Sequence, residues 1–239
     1  MGRDLFDVSG RIALVTGASS GLGDNFARLL ASRGATIVAA ARRTDRLAVL
    51  VADIAKAGGK AHAVALDVAD PLSVTTALAD IVKNVGAPDI VVNNAGIGEV
   101  GPSIDLTEED WRRTMGTNLD GAWRVAQGSA RAMLAAGKGG AIVNIASVLG
   151  LRVAPQMLAY ATAKSALIQL TEVLAIEWAR YNIRVNAIAP ATSRPRSTRA
   201  CSKPNAGRRS SSACRSNASG HPATSTARCC FSPPTPAAS

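Results

Sequence analysis

The amino-acid sequence predicts an α/β fold in which one parallel β-sheet is doubly wound by helices. Six short apolar segments alternate with stretches of helical periodicity, a pattern typical of strands that pair in parallel through right-handed crossovers. The segments are apolar almost throughout, as expected of strands covered by helices on both faces. The strands are predicted at 11–16, 35–41, 61–68, 89–96, 141–147 and 183–190.

The predicted helices fill the intervals between these strands. Thr44 is placed to cap the second helix, and Asp70 followed by Pro71 marks the start of the third. One long helix is predicted to begin at Thr107 and to reach about Ala136. The first and last helices are predicted at 21–33 and 157–180.

Charge and cysteine content divide the chain at about residue 190. Residues 191–239 contain eight Lys and Arg, no Asp or Glu, and all four cysteines, whereas residues 1–190 contain 19 basic and 17 acidic residues. The segment also has eleven serines and six prolines and no helical or strand period, so it is expected to be disordered. We therefore predict a folded domain at 1–190 and an aberrant basic tail at 191–239.

This distribution of residues excludes several classes of partner. The net charge of +10 arises in the tail, which has one aromatic residue, so a nucleic-acid partner is not expected. The sequence has no apolar run long enough for a membrane span and no signal peptide at its start, so a cytoplasmic protein is expected. Residues 1–190 contain no cysteine, and no metal-ligand constellation occurs, so no metal site is predicted.

A glycine-rich segment, TGASSGLG at 16–23, links the first predicted strand to the first predicted helix. Its glycines allow a tight turn and let a pyrophosphate approach the backbone N–H groups at the helix N-terminus. The spacing differs from the common G-x-G-x-x-G pattern, and a plain strand-to-helix turn is the alternative. The candidate cofactor contacts here are Gly17, Ser19, Ser20, Gly21, Leu22 and Gly23.

Two arginines, Arg42 and Arg43, follow the second predicted strand. In dinucleotide-binding folds an acidic residue at this place binds the ribose hydroxyls of NAD, whereas Arg suits the 2′-phosphate of NADP. The acid is missing here, so the sequence favours NADP over NAD. A solvated helix start is the alternative, but cations at a helix N-terminus oppose the helix dipole.

The candidate reacting group is the pair Tyr160 and Lys164 in the segment YATAK. Residues four apart share one face of a helix, and an ammonium beside a phenol favours the ionised form that can act as a base. Ser147 ends the fifth predicted strand, at the edge where ligands bind in such sheets, and its hydroxyl is a candidate holder of a carbonyl oxygen. Asn118, in the long helix, is a candidate anchor for a water that relays protons. Each residue taken singly also has an ordinary structural explanation.

Taken together, TGASSGLG, NNAG at 93–96, Asn118, Ser147 and YATAK resemble the short-chain dehydrogenase/reductase family in order and spacing. The resemblance covers residues 5–190 and implies a Rossmann-type sheet of which the seventh strand is missing here. It implies Tyr160 as the general acid/base, Lys164 as the residue that assists it and holds the nicotinamide ribose, Ser147 as the carbonyl holder and Asn118 as part of the relay. It also implies that Asp67 and Val68 flank the adenine and that Asn93, Asn94, Ala95 and Gly96 line the cofactor floor.

The function that follows from the resemblance is an NADP(H)-dependent oxidoreductase that interconverts a carbonyl and an alcohol by hydride transfer. A 3-oxoacyl thioester or a small keto or hydroxy compound is the expected substrate. The resemblance implies a homotetramer or dimer. The alternative is a catalytically impaired nucleotide-binding remnant with a basic tail.

The resemblance stops at Pro190, which the family follows with Gly and this chain with Ala191. If the original codons began one base earlier, Ala191 would permit Gly, Thr192 would permit Tyr and Ser193 would permit Phe, as in the family. We therefore predict a shift of the reading frame after Pro190. Its expected consequences are loss of the seventh strand, failure of normal tetramers and impaired turnover.

Overall fold

The structure, a computed structural model, describes residues 7–191. The predicted basic tail, apart from its first residue, lies outside the described residues. Its disorder, and the absence of a seventh strand, therefore stay predictions. Within the described part, no helix has the length and apolar character needed to cross a membrane.

The predicted fold class is confirmed by a six-stranded, wholly parallel sheet with strand order β3-β2-β1-β4-β5-β6. The order runs outward in both directions from β1 and β4, so the crevice between their carboxyl ends is the place where such sheets bind ligands. The strands are β1 (Ile12–Thr16), β2 (Thr36–Ala41), β3 (Lys60–Ala65), β4 (Ile90–Asn93), β5 (Gly140–Ile145) and β6 (Ile183–Ile188). The α-helices are α1 (Gly21–Ser32), α2 (Thr44–Lys56), α3 (Pro71–Asn84), α4 (Glu108–Met115), α5 (Gly121–Ala135) and α6 (Leu158–Trp178).

Two apolar clusters cover the two faces of the sheet. Successive residues of β1 point to opposite faces, so Leu14 packs in the cluster beneath α3, α5 and α6, and Val15 packs in the cluster beneath α1 and α2. Leu14 and Val15 are both fully buried. Burying one such side chain contributes about 2 kcal/mol to folding. The centre of the sheet is therefore well packed, and it supports the loops at the carboxyl ends of the strands.

The expectation that every strand is covered on both faces is wrong for β3 and β6. Lys60 and His62 of β3 and Arg184 and Asn186 of β6 are exposed. Both strands stand at the ends of the described sheet, with a neighbour on one side only. An apolar run in the sequence does not distinguish a central strand from an end strand, because that depends on the strand order.

The helix boundaries include two corrections. Thr44 was expected to cap α2, but the N-cap is Arg43 and no side-chain cap bond forms there. The single long helix predicted from Thr107 is instead α4, a π-helical turn at Gly116–Asp120, and α5. Thr107 does cap α4, because its Oγ1 accepts the backbone N–H of Asp110. The sequence pattern did not predict the π-helical turn. Such a turn changes the backbone hydrogen-bond register but leaves the direction of the helix unchanged.

Candidate active site

The glycine-rich loop after β1 is a tight turn whose shape requires glycine. Gly17 and Gly21 have φ of 66° and 62°, which other residues rarely adopt. A Cβ on Gly17 would lie 2.8 Å from Cα of Ala95, and one on Gly23 would lie 2.4 Å from the Gly17 carbonyl oxygen. A Cβ on Gly21 would meet nothing within 4 Å. At Gly17 the loop is therefore packed closely against the loop that follows β4, whereas Gly21 faces open space.

Thr16, the last residue of β1, joins these two loops. Its Oγ1 accepts the backbone N–H groups of Asn94 and Ala95 at 3.0 and 3.1 Å. The Asn94 side-chain Nδ2 donates to the Thr16 carbonyl oxygen at 3.0 Å in return. Sequence reasoning did not single out Thr16, although a hydroxyl at the end of a strand that leads into a glycine turn was the available signal.

The four residues of the NNAG segment do not all face the same way. Asn94, Ala95 and Gly96 line the cleft, whereas Asn93 is 3 % exposed and points beneath it. Nδ2 of Asn93 donates to Oδ1 of Asn144 at 2.9 Å and to the Ala122 carbonyl oxygen at 3.0 Å. Asn93 therefore fastens β4 to β5 and α5, under the floor on which it was expected to lie.

A cleft of about 420 Å³ opens at the carboxyl ends of β1, β2 and β3. Asp67 and Val68, which follow β3, lie in its wall. The other residues around it include Gly17, Ser19, Ser20, Leu22, Arg42 and Arg43. Most of the predicted cofactor contacts are thus brought to one place, although they come from loops far apart in the chain.

The two arginines after β2 have different surroundings. Nη2 of Arg43 donates to Oγ of Ser19 at 3.0 Å and to Oγ of Ser20 at 2.9 Å, so this guanidinium bridges the two serines of the glycine-rich loop. Nη1 of Arg42 lies 3.9 Å from Oδ2 of Asp67, and the Arg42 side chain is 69 % exposed. Both border the cleft, but only Arg43 forms close hydrogen bonds with the loop after β1.

A second cleft of about 420 Å³ adjoins the first at the carboxyl end of β5. Ser147, Tyr160 and Lys164 all line it. The two clefts share Leu22, Asn94, Gly96 and Ile97 in their walls, so they form one extended groove. An extended groove of this kind suits an elongated ligand with a reactive group at one end.

Lys164 is buried at the inner end of the second cleft and is only 4 % exposed. Its Nζ donates to the Ile145 carbonyl oxygen at 2.7 Å and lies 5.8 Å from the centre of the Tyr160 ring. Burial lowers the pKa of Lys164 from 10.5 to about 8, because a desolvated ammonium is unfavourable. The tyrosine and the lysine predicted from their spacing therefore do share one side of α6.

Ser147 lies two residues after the end of β5, lines the same cleft and is 8 % exposed. Its Oγ accepts the backbone N–H of Leu149 at 3.2 Å, which caps a short 3₁₀ turn at Val148–Gly150. A hydroxyl that accepts one bond still has its hydrogen to donate. That hydrogen can serve an oxygen atom that enters the cleft.

Asn118 lies in the π-helical turn and is fully buried. Its Oδ1 accepts the backbone N–H of Ile97 at 2.8 Å, and its Nδ2 donates to the Ile97 carbonyl oxygen at 2.7 Å. The side-chain amide thus holds the loop after β4 at the junction of the two clefts.

A comparison with known proteins identifies the family. The sequence model described as short chain dehydrogenase matches residues 11–205. The chain belongs to this family. The match extends past Pro190, the point at which the motifs of the sequence cease to resemble the family.

Two relatives of this short chain dehydrogenase are named as dehydrogenases of small polyols. D-threitol dehydrogenase of Mycolicibacterium smegmatis is 38 % identical over 185 residues, which cover 77 % of this chain and 71 % of that protein. The NAD-dependent glycerol dehydrogenase of Listeria innocua is also 38 % identical, with coverage of 77 % and 71 %. These relatives confirm that the chain is an oxidoreductase of the family.

A solved structure shows the same fold with a cofactor bound. Gluconate 5-dehydrogenase from Burkholderia cenocepacia, in complex with NADP and tartrate, has a TM-score of 0.76 and 40 % identity, and the alignment covers 79 % of this chain and 73 % of that one. One relative has thus been solved with NADP bound, and another is named as NAD-dependent. Among residues 7–191, no three His, Cys, Asp or Glu side chains come close enough together to hold a metal ion.

Proposed function

We propose that this short chain dehydrogenase interconverts a carbonyl and an alcohol and prefers NADP(H) to NAD(H). The observation that carries the proposal is the meeting of Ser147, Tyr160 and the buried Lys164 in a cleft continuous with the one around the glycine-rich loop. Gly17 lines the first cleft, and the turn has no room for a side chain at Gly17 or Gly23, which suits a pyrophosphate approaching the backbone there. A nicotinamide cofactor bound there supplies or accepts the hydride.

The protein residues handle the proton and the substrate oxygen. Tyr160, half-buried at the mouth of the cleft, is placed to give a proton to the oxygen or to take one from it. The Lys164 ammonium lies 5.8 Å from the centre of the Tyr160 ring, on the same side of α6. The free hydrogen of the Ser147 hydroxyl orients the same oxygen. Since the Asn118 amide is engaged by Ile97, we assign its side chain to positioning the loop, and the water relay stays a prediction.

The preference for NADP rests on the place of Arg43. A guanidinium already held by two serine hydroxyls presents several donors at one rim of the first cleft, which suits a phosphate on the adenosine ribose. The absence of an acid after β2 removes the usual partner of the NAD ribose hydroxyls. Asp67 and Val68 in the same wall are proposed to flank the adenine.

Nicotinamide fluorescence measures this preference directly. The chain is expected to bind NADPH more tightly than NADH, and Arg43→Ala should weaken NADPH binding about 10-fold because a charge-assisted hydrogen bond is lost. Binding of NADH should barely change. Arg42→Ala is the matched control and should have a smaller effect, because Arg42 is the more loosely held of the two. Equal affinities of the unaltered chain for NADPH and NADH would contradict the proposed preference.

The catalytic part is tested by Tyr160→Phe, which removes only the hydroxyl. Turnover of a small ketone is expected to fall at least about 100-fold, because the proton donor is lost. The affinity for NADPH should stay within about 2-fold, since the ring still fills its place. Retained turnover in this variant would exclude Tyr160 from the chemistry.

A second candidate, a nucleotide-binding protein with impaired turnover, is favoured by the change of composition after Pro190. Pro190 and Ala191 lie in the wall of the second cleft, which we call the catalytic cleft, so the altered segment begins at the proposed reaction site. Insertion or deletion of one base at codon 191, chosen to restore Pro-Gly, is expected to raise turnover if a frame shift occurred there. If the unaltered chain turns over a ketone as fast as the repaired one, this second candidate is rejected.

A further inference from the structure

We infer that Gly98 defines a small apolar slot beside Tyr160, and that this slot receives a hydrocarbon substituent of the carbonyl or alcohol substrate. The inference rests on the proposed function, because it names the substrate class for the same cleft. Gly98 lies in the loop after β4 and lines the catalytic cleft together with Tyr160 and Met157.

The slot is the space that a side chain at position 98 would fill. A Cβ built on Gly98 would lie 3.4 Å from Cδ2 and 3.7 Å from Cε2 of the Tyr160 ring, and 3.9 Å from the terminal methyl carbon of Met157. These are ordinary van der Waals separations, so alanine would fit without displacing either neighbour. Gly98 does not have a positive φ, unlike Gly17 and Gly21. Its backbone conformation therefore does not require glycine, and the open space is what the glycine provides.

The side-chain walls of this space are apolar. They are the carbon edge of the Tyr160 ring and the methyl group of Met157, with Ile97 and Leu149 also around the cleft. Among the described residues that line the cleft, Lys164 alone carries a charge, and its ammonium donates to the Ile145 carbonyl oxygen. Since Tyr160 and Met157 present carbon atoms to the slot, an alkyl group gains contacts there, whereas a hydroxyl group finds no side-chain partner in these two residues.

The slot has a fixed position because its loop is held on both sides. Ile97 before it is held by the Asn118 amide. Glu99 after it accepts a hydrogen bond from Arg113, which also contacts Asp110 on α4. Such support on either side gives a preformed cleft wall, so the size of the side chain at position 98 should decide which substituents enter.

The loop is also tied to the segment that carries Met157. The backbone N–H of Gly101 donates to the Gln156 carbonyl oxygen at 3.0 Å. This hydrogen bond joins the loop that contains Gly98 to the segment that contains Met157, so it helps to fix the width of the slot.

The experiment compares three ketones on the NADPH-loaded full-length chain. Diethyl ketone and dihydroxyacetone have the same number of heavy atoms, but only the former has alkyl arms, and acetone is too small to fill the slot. We expect the unaltered chain to prefer diethyl ketone to dihydroxyacetone. Gly98→Ala should lower kcat/KM for diethyl ketone about 10-fold relative to acetone, because one methyl group then occupies the slot. Its affinity for NADPH should be unchanged.

Gly101→Ala is the matched control, because it lies in the same loop and a Cβ there meets nothing within 4 Å. It should leave the ratio between the ketones unchanged. Met157→Ala should widen the slot and shift the ratio toward diethyl ketone, so the inference can be checked even if Gly98→Ala fails to fold. Equal ratios in all variants, or a preference of the unaltered chain for dihydroxyacetone, would overturn the inference while leaving the proposed function standing.

Binding is measured in parallel by ligand-observed NMR with the same ketones, so that the result does not depend on turnover. Diethyl ketone that binds the unaltered chain but not Gly98→Ala supports the slot even if no ketone is reduced, an outcome that would refute the proposed function alone. Failure of the unaltered chain to bind diethyl ketone would refute the slot.

Discussion

Lys164 makes the stability of the protein depend on pH in an unusual direction. Its ammonium is buried with a carbonyl oxygen as its only hydrogen-bond partner among the described residues, and burial lowers its pKa to about 8. In the unfolded chain the same lysine titrates near 10.5. Below about pH 8, Lys164 is protonated in both the folded and the unfolded chain, so the folded state bears the full free-energy cost of burying the charge. Between these two values the unfolded state holds more protons, so the free energy of unfolding rises as the pH rises.

The size of the effect follows from the two pKa values. Each unit of difference corresponds to about 1.4 kcal/mol, and the interval from 10.5 to about 8 therefore bounds the total gain at about 3 kcal/mol. Between about pH 7 and about pH 9.5, the proton-linkage relation gives a gain of about 2 kcal/mol from this residue. The increase should appear on top of the contributions of the other titrating groups.

The assay is urea denaturation of the cofactor-free chain at both pH values, followed by circular dichroism, for the unaltered protein and for Lys164→Met. Methionine fills similar space without a titrating group, so it cancels the background from the other residues. The unfolding free energy of the unaltered chain should gain about 2 kcal/mol more than that of the variant over this interval. The same pH dependence in both proteins would show that Lys164 does not carry its charge in a desolvated site.

Two further predictions concern residues that hold the framework of the site. Burial alone would raise the pKa of Asp89, but hydrogen bonds from the Ile12 backbone N–H and from Lys138 outweigh it and lower this pKa below its ordinary value. Asp89→Asn should therefore lower the free energy of unfolding by about 2 kcal/mol at neutral pH, in urea denaturation, and this difference should shrink as the pH falls through the lowered pKa. Thr16→Val removes the acceptor for two loop N–H groups, and it should lower both the unfolding free energy, by about 2 kcal/mol, and the affinity for NADPH.

Each of these two predictions has its own check. If the difference in unfolding free energy between the unaltered chain and Asp89→Asn were the same at neutral and acid pH, the charge of Asp89 would not stabilise the fold. Thr16→Ser keeps the hydroxyl and should bind NADPH as the unaltered chain does. If Thr16→Ser binds NADPH as weakly as Thr16→Val, the loss of affinity comes from the packing of the missing methyl group and not from the hydroxyl.

Several features of the site were visible in the sequence because they depend on neighbours close in the chain. The turn at Gly17–Gly23 follows from glycine spacing, and the cap at Asp70 follows from a side chain that bonds the backbone N–H of Leu72. Tyr160 and Lys164 share one side of α6 because helical geometry relates residues four apart. For the same local reason, the order of strands and helices along the chain was predicted with small errors at their ends.

Other features were decided by hydrogen bonds between distant parts of the chain. Asn118 meets Ile97 across 21 positions, and Thr16 meets Asn94 across 78. Nothing near Asn93 in the sequence indicates that its amide turns toward Asn144 and away from the cleft. Such contacts exist only once the parallel strands have brought their carboxyl ends together.

The sequence by itself determined the alternation of strands and helices, the glycine turn, and the identity of the serine, tyrosine and lysine that line the second cleft. Only the tertiary structure decided that Arg43, and not Arg42, bridges the two serines of the turn, and that Gly98 leaves an open space beside the Tyr160 ring. The physical reason is that residue type and spacing specify local backbone geometry, whereas the partner of a side chain and the space around it depend on which distant segments pack against it.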